Sequence, residues 1–414
     1  MKKLLIISNN VLSEINNNGK TILSFVENSK LEIRQLYFSS EVPTIKTYEY
    51  FRISDNDVIK GWFFQKKRGS VISETKSSNV IKKEVSLKSK VGRNLITLYI
   101  REFIWKKRWQ SKQLEKWLDD FQPDVILFVA GDALFAYDIC TQIKEKYNSR
   151  LVTYVTDDYI MPRLNETFFE KKRRNNIRIQ MEKVLKKTDV FYTISEQMQN
   201  DYKDLFLKDN LIAMNMSDDL MDKSIEKINN RYVFTYAGTL YYGRDDILVG
   251  LAKCIQRYNK THAKKAYLEI YCGTKPEENV LKKINIDGCS QYKGCLTKIE
   301  LKNQLNQSDI LVFAESFETE QIEKTRYSLS TKIPEYLSVA KPILAIGPEE
   351  IGSMQYLQDV AICVNDVKNL YDDVESLLDN QEICELYSYK ARKKYEKNHN
   401  KELLQKEFVK NLIG

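Results

Sequence analysis

Histidine is nearly absent: the 414 residues contain two, His262 and His399. Neither stands in a recognisable motif, so a reaction built on an imidazole base has few places to put one. Cysteine is sparse and scattered. There are seven, an odd number, and only Cys289 and Cys295 lie near each other. No CxxC or Cys/His spacing suits zinc, and the thiols read as reduced thiols of a cytoplasmic protein. Proline, at 7, and glycine, at 14, are few for the length. That excludes collagen-like, Pro-rich and long flexible tracts. No run approaches the roughly 18 consecutive apolar residues that cross a bilayer. The opening Met1-Lys2-Lys3-Leu4-Leu5-Ile6-Ile7 has too short an apolar stretch for a signal peptide and predicts a first buried strand.

What is present is an ordinary globular composition, 43% hydrophobic and 29% charged. At roughly 100–200 residues per domain, the length predicts two domains. The net charge of +8 is one-sided. Residues 1–230 hold 39 Lys and Arg against 31 Asp and Glu, while residues 231–414 hold 26 of each. A basic first half implies an anionic partner, either a membrane surface or an acidic acceptor. Nothing signals nucleic acid.

Two halves share one rhythm. In the first, strands are predicted at 3–8 and 32–38. A continuous apolar run, Val125-Ile126-Leu127-Phe128-Val129-Ala130, ends at Gly131-Asp132 and reads as a strand buried on both faces. Helix (133–147), strand (151–156), basic helix (166–187), strand (189–194) and helix (196–204) follow. The pattern restarts after the polar stretch 217–230. Strands are predicted at 232–237, 266–272, 291–294, 309–314 and 342–347, with helices at 246–258, 298–306 and 332–339, and two closing helices. Alternating strands and helices predict doubly wound parallel sheets. The expected domains are 1–228 and 229–395, with a helix at 396–414 packing back on the first. Ligands of such sheets bind beyond the carboxyl ends of the strands.

Gly19-Lys20-Thr21 invites a P-loop reading, but the position that needs the earlier glycine is Glu14, which disfavours an ATPase. A Gly-containing loop at a helix N-terminus, or a plain turn, remains. The second half is more specific. Tyr236-Ala237-Gly238-Thr239 closes a strand, and Gly243-Arg244 precedes a helix. Arg244 can grip phosphate oxygens or can pair with Asp245 or Asp246. Further on, Ser330-Thr331-Lys332-Ile333-Pro334-Glu335 sets hydroxyls and a cation at a helix start, with Ser330 or Thr331 as the expected N-cap. Amides, hydroxyls and Lys332 together suit a diphosphate, and Glu335 suits the two hydroxyls of a ribose.

The series Gly238…Gly243-Arg244, Gly273, Lys293-Gly294, Ser308-Asp309, Lys332-x-x-Glu335-Tyr336-Leu337 and Lys341-Pro342-Ile343-Leu344 resembles the donor domain of glycosyltransferase family 4 over about residues 232–347. The first half resembles the acceptor domain more loosely, through Gly19, Asp124, Gly131-Asp132, Thr156-Asp157-Asp158 and Ile194-Ser195-Glu196. The resemblance implies the GT-B fold, two facing Rossmann-like domains, and transfer with retention of configuration. It assigns Arg244 and Lys332 to the donor diphosphate, Glu335 to the ribose, and the backbone around 293–296 to the base. Gly19, Gly238, Gly243, Gly273, Ser330 and Thr331 complete the donor side. Asp132 and Asp158 fall on the acceptor side, Asp157 or Asp158 stands near the place of the family's acceptor-side histidine, and Asp157 is expected there as a catalytic group or a structural cap. One position departs from the pattern: Tyr327 stands where the family's first motif glutamate would be, and Glu315, Glu318, Glu320 and Glu323 are the nearby substitutes.

The expected activity is transfer of a hexose from a nucleotide-diphosphate sugar to a saccharide acceptor, in surface glycan synthesis, with neither a bound cofactor nor a metal. The alternatives are a nucleotide-sugar epimerase or phosphorylase, and a non-catalytic binding subunit. The stretch Arg101–Trp109 with Trp117, together with Lys66-Lys67-Arg68 and Lys171-Lys172-Arg173-Arg174, has two readings. One is peripheral contact with the inner membrane face and a lipid-linked acceptor. The other is an amphipathic helix with its tryptophans in the core.

Overall fold

The structure, a computed structural model, describes residues 1–14, 17–64, 68–72, 94–106, 108–225 and 230–414. The chain forms two compact units, Met1–Ala213 with Gln405–Gly414, and Met214–Leu404.

Among the described residues unit one is built on eight strands: β1 (Lys3–Ser8), β2 (Glu32–Tyr37), β3 (Glu49–Arg52), β4 (Ser70–Val71), β5 (Val125–Ala130), β6 (Arg150–Val155), β7 (Val190–Thr193) and β8 (Leu211–Ile212). Their order is β4-β3-β2-β1-β5-β6-β7-β8, and every pairing except β3–β4 is parallel. The central strands carry the apolar runs that the sequence shows, and β5 is buried along its whole length. Helix Phe168–Leu185 starts at a capping box in which Thr167 and Glu170 satisfy each other's amides. Residues 405–414 belong to this unit. Phe408 stacks on Phe25 at 4.4 Å and meets Tyr192 at 4.9 Å.

Unit two holds six parallel strands: β9 (Tyr232–Ala237), β10 (Ala266–Tyr271), β11 (Ser290–Gly294), β12 (Ile310–Ala314), β13 (Ile343–Ile346) and β14 (Ile362–Val364). They run in the order β11-β10-β9-β12-β13-β14. Phe234, Leu268, Ile270, Val312 and Leu344 from the strands pack with Leu248, Leu251 and Ile255 of helix Arg244–Thr261. Beyond β13 the two expected closing helices are joined by β14 and by helices Gly352–Leu357 and Leu370–Asp379. Three strand residues are too few to show a period of two.

Three aspartates do the same work at the amino ends of the sheets. Asp124 accepts from the Lys3 amide at 2.8 Å, Asp189 from Leu151 at 2.7 Å, and Asp309 from Val233 at 2.9 Å. Each carboxylate ties the start of one strand to its neighbour. Asp124 and Asp309 therefore belong to the end of the sheet opposite its ligand edge.

His399 is also structural. It is buried, with Nδ1 donating to the Asn215 carbonyl at 2.7 Å and Nε2 accepting from the Tyr356 hydroxyl at 2.8 Å. The carbonyl partner requires the proton on Nδ1. Burial pushes the imidazole down to about 4.

Candidate functional site

In unit two the strand order turns back at β9, with β10 leaving to one side and β12 to the other. Crevices for ligands open at the carboxyl ends of strands beside such a switch. Gly238 follows β9, Gly273 lies two residues beyond β10, Gly294 ends β11, Glu315 follows β12 and Gly347 follows β13.

Arg244 opens helix Arg244–Thr261 at this edge. Gly243 precedes it with φ +70°, in the left-handed region that suits glycine, and a Cβ there would stand 2.7 Å from the Ser316 hydroxyl. The guanidinium is nearly buried and does not pair with Asp245 or Asp246. Its Nε donates to Glu315 Oε2 at 3.1 Å, and Nη2 donates to both Glu315 oxygens at 2.8 Å. Nη1 donates to the Thr239 hydroxyl at 2.9 Å. This is a fork-type pair across the switch point, from the β9 side to the β12 side. Glu315 is fixed in turn: its amide donates to the Ile346 carbonyl at 2.8 Å, and a Cβ on Gly347 would lie 3.0 Å from its own Cβ.

Lys332 enters the same space. Its Nζ lies 5.1 Å from the centre of the Tyr236 ring, and it presses on Gly238. Burial and then the neighbouring Arg244 bring the amine down to about 8, with Glu315 and Glu335 acting in the opposite sense. An ammonium held below its ordinary range by burial and a like charge gains when an anion arrives. Arg244 is engaged by Glu315, and Lys332 is the cation beside it at the ends of β9 and β12.

Ser330, Thr331 and Glu335 flank this lysine, but the expected cap is corrected. Lys332 itself holds the N-cap position of helix Ile333–Ser338, and no side chain caps it. Pro334 in the first turn removes one amide that a cap would serve, and the Ile333 amide already donates to the Ser330 carbonyl at 3.2 Å. Ser330 is held by its own amide, which donates to the Ser353 hydroxyl at 3.0 Å. Glu335 is partly buried in the first turn. Gly273, Lys293 and Gly294 lie further along the edge, and the Cys272 amide donates to the Gly294 carbonyl at 3.0 Å. A Cβ on either glycine would meet nothing within 4 Å, so this part of the edge is open.

The other expected residues are in unit one. Gly19 is inside helix Asn17–Val26 rather than in a loop before it, and a Cβ there would stand 2.3 Å from the Val11 carbonyl oxygen. Its glycine is explained by close backbone packing. Asp132, beyond β5, accepts from Arg173 Nη2 at 3.2 Å, and Arg173 also lies 3.9 Å from Glu102. Burial raises the Glu102 carboxyl, against the Leu134 amide and Arg173 that lower it. Asp158 is buried and accepts from the Ile160 and Met161 amides and the Tyr202 hydroxyl at 3.0–3.1 Å, which makes it the anchor of the turn after β6. Asp157, beside it, accepts from the Asp158 amide at 2.9 Å.

The tryptophans of the basic stretch are core residues. Trp105 stacks on Phe135 at 3.8 Å, and Trp109 and Trp117 are also buried. Of the two readings of this stretch, the one that puts its tryptophans in the core holds. Arg173 and Arg174 are spent on ion pairs with Asp132 and Glu166. Lys66, Lys67 and Lys107 lie outside the described residues. Among the described residues no helix is long and apolar enough to cross a membrane, and no group of His, Cys, Asp and Glu has the arrangement of a metal site.

Sequence reasoning offered Glu315 only as one of four substitutes and passed over Ser316, Thr239 and Glu102. The signal for Glu315 was its place directly after a buried strand.

No protein-family model and no curated protein matches the sequence. Solved structures do match in shape. The alpha,alpha-trehalose 6-phosphate synthase of Burkholderia multivorans superposes with a TM-score of 0.62 at 11% identity, covering 100% of this chain and 98% of that one. The UDP-forming alpha,alpha-trehalose-phosphate synthase of Burkholderia xenovorans, in complex with glucose-6-phosphate, gives 0.60 at 10% identity, with 100% of both chains covered. A glycosyltransferase from Rickettsia africae gives 0.62 at 10% identity, covering 99% of this chain and 97% of that one. These likenesses establish the fold, which is the two-domain, Rossmann-like GT-B architecture.

Proposed function

We propose that this protein is a glycosyltransferase that takes a hexose from a nucleotide-diphosphate donor and passes it to a saccharide acceptor with retention of configuration. The observation that carries this reading is the meeting of Arg244 and Lys332 at the switch point, with Gly238 leaving room for the lysine. The diphosphate would lie against these two cations, with Glu335 toward the ribose and the open edge at Gly273, Lys293 and Gly294 toward the base. As the bond from the sugar's anomeric carbon to the phosphate oxygen breaks, its electron pair becomes phosphate charge. Arg244 and Lys332 stabilise that charge more than the ground state. The acceptor oxygen bonds to the same carbon from the face being vacated, and its proton passes to the departing phosphate oxygen. No imidazole base is required. His399, the one buried histidine, is engaged at both ring nitrogens.

The likeness in fold to a UDP-forming synthase and to another glycosyltransferase supports a uridine diphosphate donor as the first to try. The glucose-6-phosphate in one of those structures supports an anionic saccharide acceptor. On the acceptor side we assign Asp157 and Asp132. The basic first half further supports a lipid-linked acceptor in surface glycan synthesis, with the protein at the cytoplasmic membrane face.

A thermal-shift screen of the wild type and Lys332→Ala with UDP, GDP, dTDP, CMP and ADP tests this. A ligand at about a hundred times its dissociation constant adds about 2.7 kcal/mol of apparent stability. The expected result is stabilisation by one nucleoside diphosphate in the wild type only, followed by acceptor-dependent release of that nucleotide from its sugar. Binding without release in any acceptor screen would favour a non-catalytic subunit. Equal stabilisation of both proteins would overturn the donor site.

A further inference from the structure

We propose that unit one docks on an anionic phospholipid bilayer through an apolar face built from helix Leu95–Trp105 and the start of helix Phe168–Leu185. This deepens the membrane contact in the function proposed above by naming its surface.

The first helix is apolar on two sides. One side is fixed in the unit: Trp105 is buried, and its indole and Arg101 both donate to Asp55, at 2.7 and 2.8 Å. The other side carries Ile96, Ile100 and Phe103, spaced to share one helix face, and they are 70%, 52% and 61% exposed. The second element continues the surface. The Tyr99 hydroxyl donates to the Phe169 carbonyl at 2.9 Å, and the two rings meet edge-on at 6.4 Å. Phe168 is 74% exposed, Phe169 58% and Leu164 64%. Single exposed apolar residues need no explanation, but six in adjoining segments mark a surface that meets something.

The charges around the patch select the occupant. Lys106, Arg163, Lys171 and Lys172 are exposed beside it. The one exposed acid in the first turn of the second helix, Glu170, is engaged with Thr167 in the capping box. An apolar centre with a cationic rim fits the acyl and headgroup layers of an anionic leaflet. The patch also adjoins the turn after β6: Arg163 donates to the Asp158 carbonyl at 3.2 Å and Arg174 to the Ile160 carbonyl at 3.1 Å. An acceptor carried by the same bilayer would arrive beside Asp157.

The test is flotation of the full chain with vesicles of phosphatidylcholine alone, or of phosphatidylcholine and phosphatidylglycerol in equal parts. The wild type is expected to float with the anionic vesicles and to be released by salt. The double substitution Ile100→Ser and Phe103→Ser is expected to weaken that binding by about tenfold or more, and Lys171→Glu with Lys172→Glu by a similar factor. Leu207→Ser, at a residue 91% exposed elsewhere in the unit, is the control and should bind as the wild type does. Nucleotide affinity, measured in solution on the same proteins, should be unchanged, which separates failure of the docking face from failure of the donor site. A wild type that stays in solution, or a patch variant that floats equally well, would overturn the proposal. So would a patch variant whose only change, by sedimentation velocity, is loss of a dimer, because a second copy would then be the occupant.

Discussion

The amine of Lys332 and the α-carbon of Gly238 are packed so closely that a Cβ on residue 238 would stand 1.9 Å from the nitrogen. It would also stand 2.4 Å from the lysine Cε and 2.9 Å from the Tyr236 hydroxyl. The glycine after β9 therefore makes room for Lys332 beside Arg244 at the switch point. Gly238→Ala should displace the lysine and leave the strand in place. A hydrogen bond to a charged group is worth about 1.5–3 kcal/mol, so displacing the lysine should weaken nucleoside diphosphate binding roughly ten- to a hundredfold. Isothermal titration with the diphosphate found by the thermal screen checks it. Unchanged affinity would mean that the lysine's position is not what binds the ligand.

The Arg244–Glu315 pair makes a different prediction, because both side chains are largely out of water. Removing one partner leaves the other charge unpaired, at a cost of about 3–5 kcal/mol. Arg244→Ala and Glu315→Ala should each lower the melting temperature. The double variant should be less destabilised than the sum of the two, as a thermodynamic cycle would show. Lys332→Ala should leave the melting temperature near that of the wild type and reduce turnover by about a hundredfold or more. Wild-type turnover in Lys332→Ala would refute its role at the leaving group.

That contrast shows what the sequence could and could not disclose. Buried strands such as β5 and β9 are continuous apolar runs ending in glycine or a small residue, and their ends locate the ligand edge. Arg244 and Lys332 were legible because each stands at a helix start, Arg244 after the loop that follows β9 and Lys332 at the head of helix Ile333–Ser338. Glu315 was not, since its partner is 71 residues away and only the β9–β12 neighbourhood brings them together. Glu318, Glu320 and Glu323 share its stretch of sequence, and only its place directly after β12 sets it apart. The basic aromatic stretch was half legible in a related way. Its tryptophans read as core or interface, and Trp105 anchors the helix while the exposed stripe is made of Ile96, Ile100 and Phe103. A helix apolar on two faces does not say which one is buried.

The acidity of Lys332 gives the proposed donor site a pH dependence. Its amine lies at about 8 without ligand. A diphosphate beside it favours the charged form, so the amine of the complex lies higher. The sign follows from this order: binding takes up a proton where the free amine is neutral and the bound one charged. Affinity should be flat below pH 8 and should fall by up to about tenfold per unit above it. Lys332→Met should remove that slope. Affinity measured across pH 6.5–9.5 in the two proteins checks it, over a range spanning roughly 1.5 units on each side of the amine's value. A wild-type profile with no fall above pH 8 would mean that the charged lysine is not required.

His399 sets a pH limit on the fold rather than on the site. Its imidazole is buried neutral and titrates at about 4 when folded, below its ordinary value of 6.5. The unfolded chain therefore binds a proton that the folded chain refuses between these two values. Stability from this group is complete above pH 6.5 and is lost as the pH falls through 4, a change of about 3 kcal/mol. His399→Gln keeps an amide donor toward the Asn215 carbonyl and an acceptor toward Tyr356, but it does not titrate. The variant should be less stable than the wild type at pH 7, because glutamine does not match the ring's shape. Urea unfolding at pH 7 and pH 4.5 should show the wild type losing more stability than the variant over that interval. Equal losses would mean that the acid sensitivity of unit two comes from its carboxylate pairs, such as Arg392 with Asp219, rather than from the buried ring.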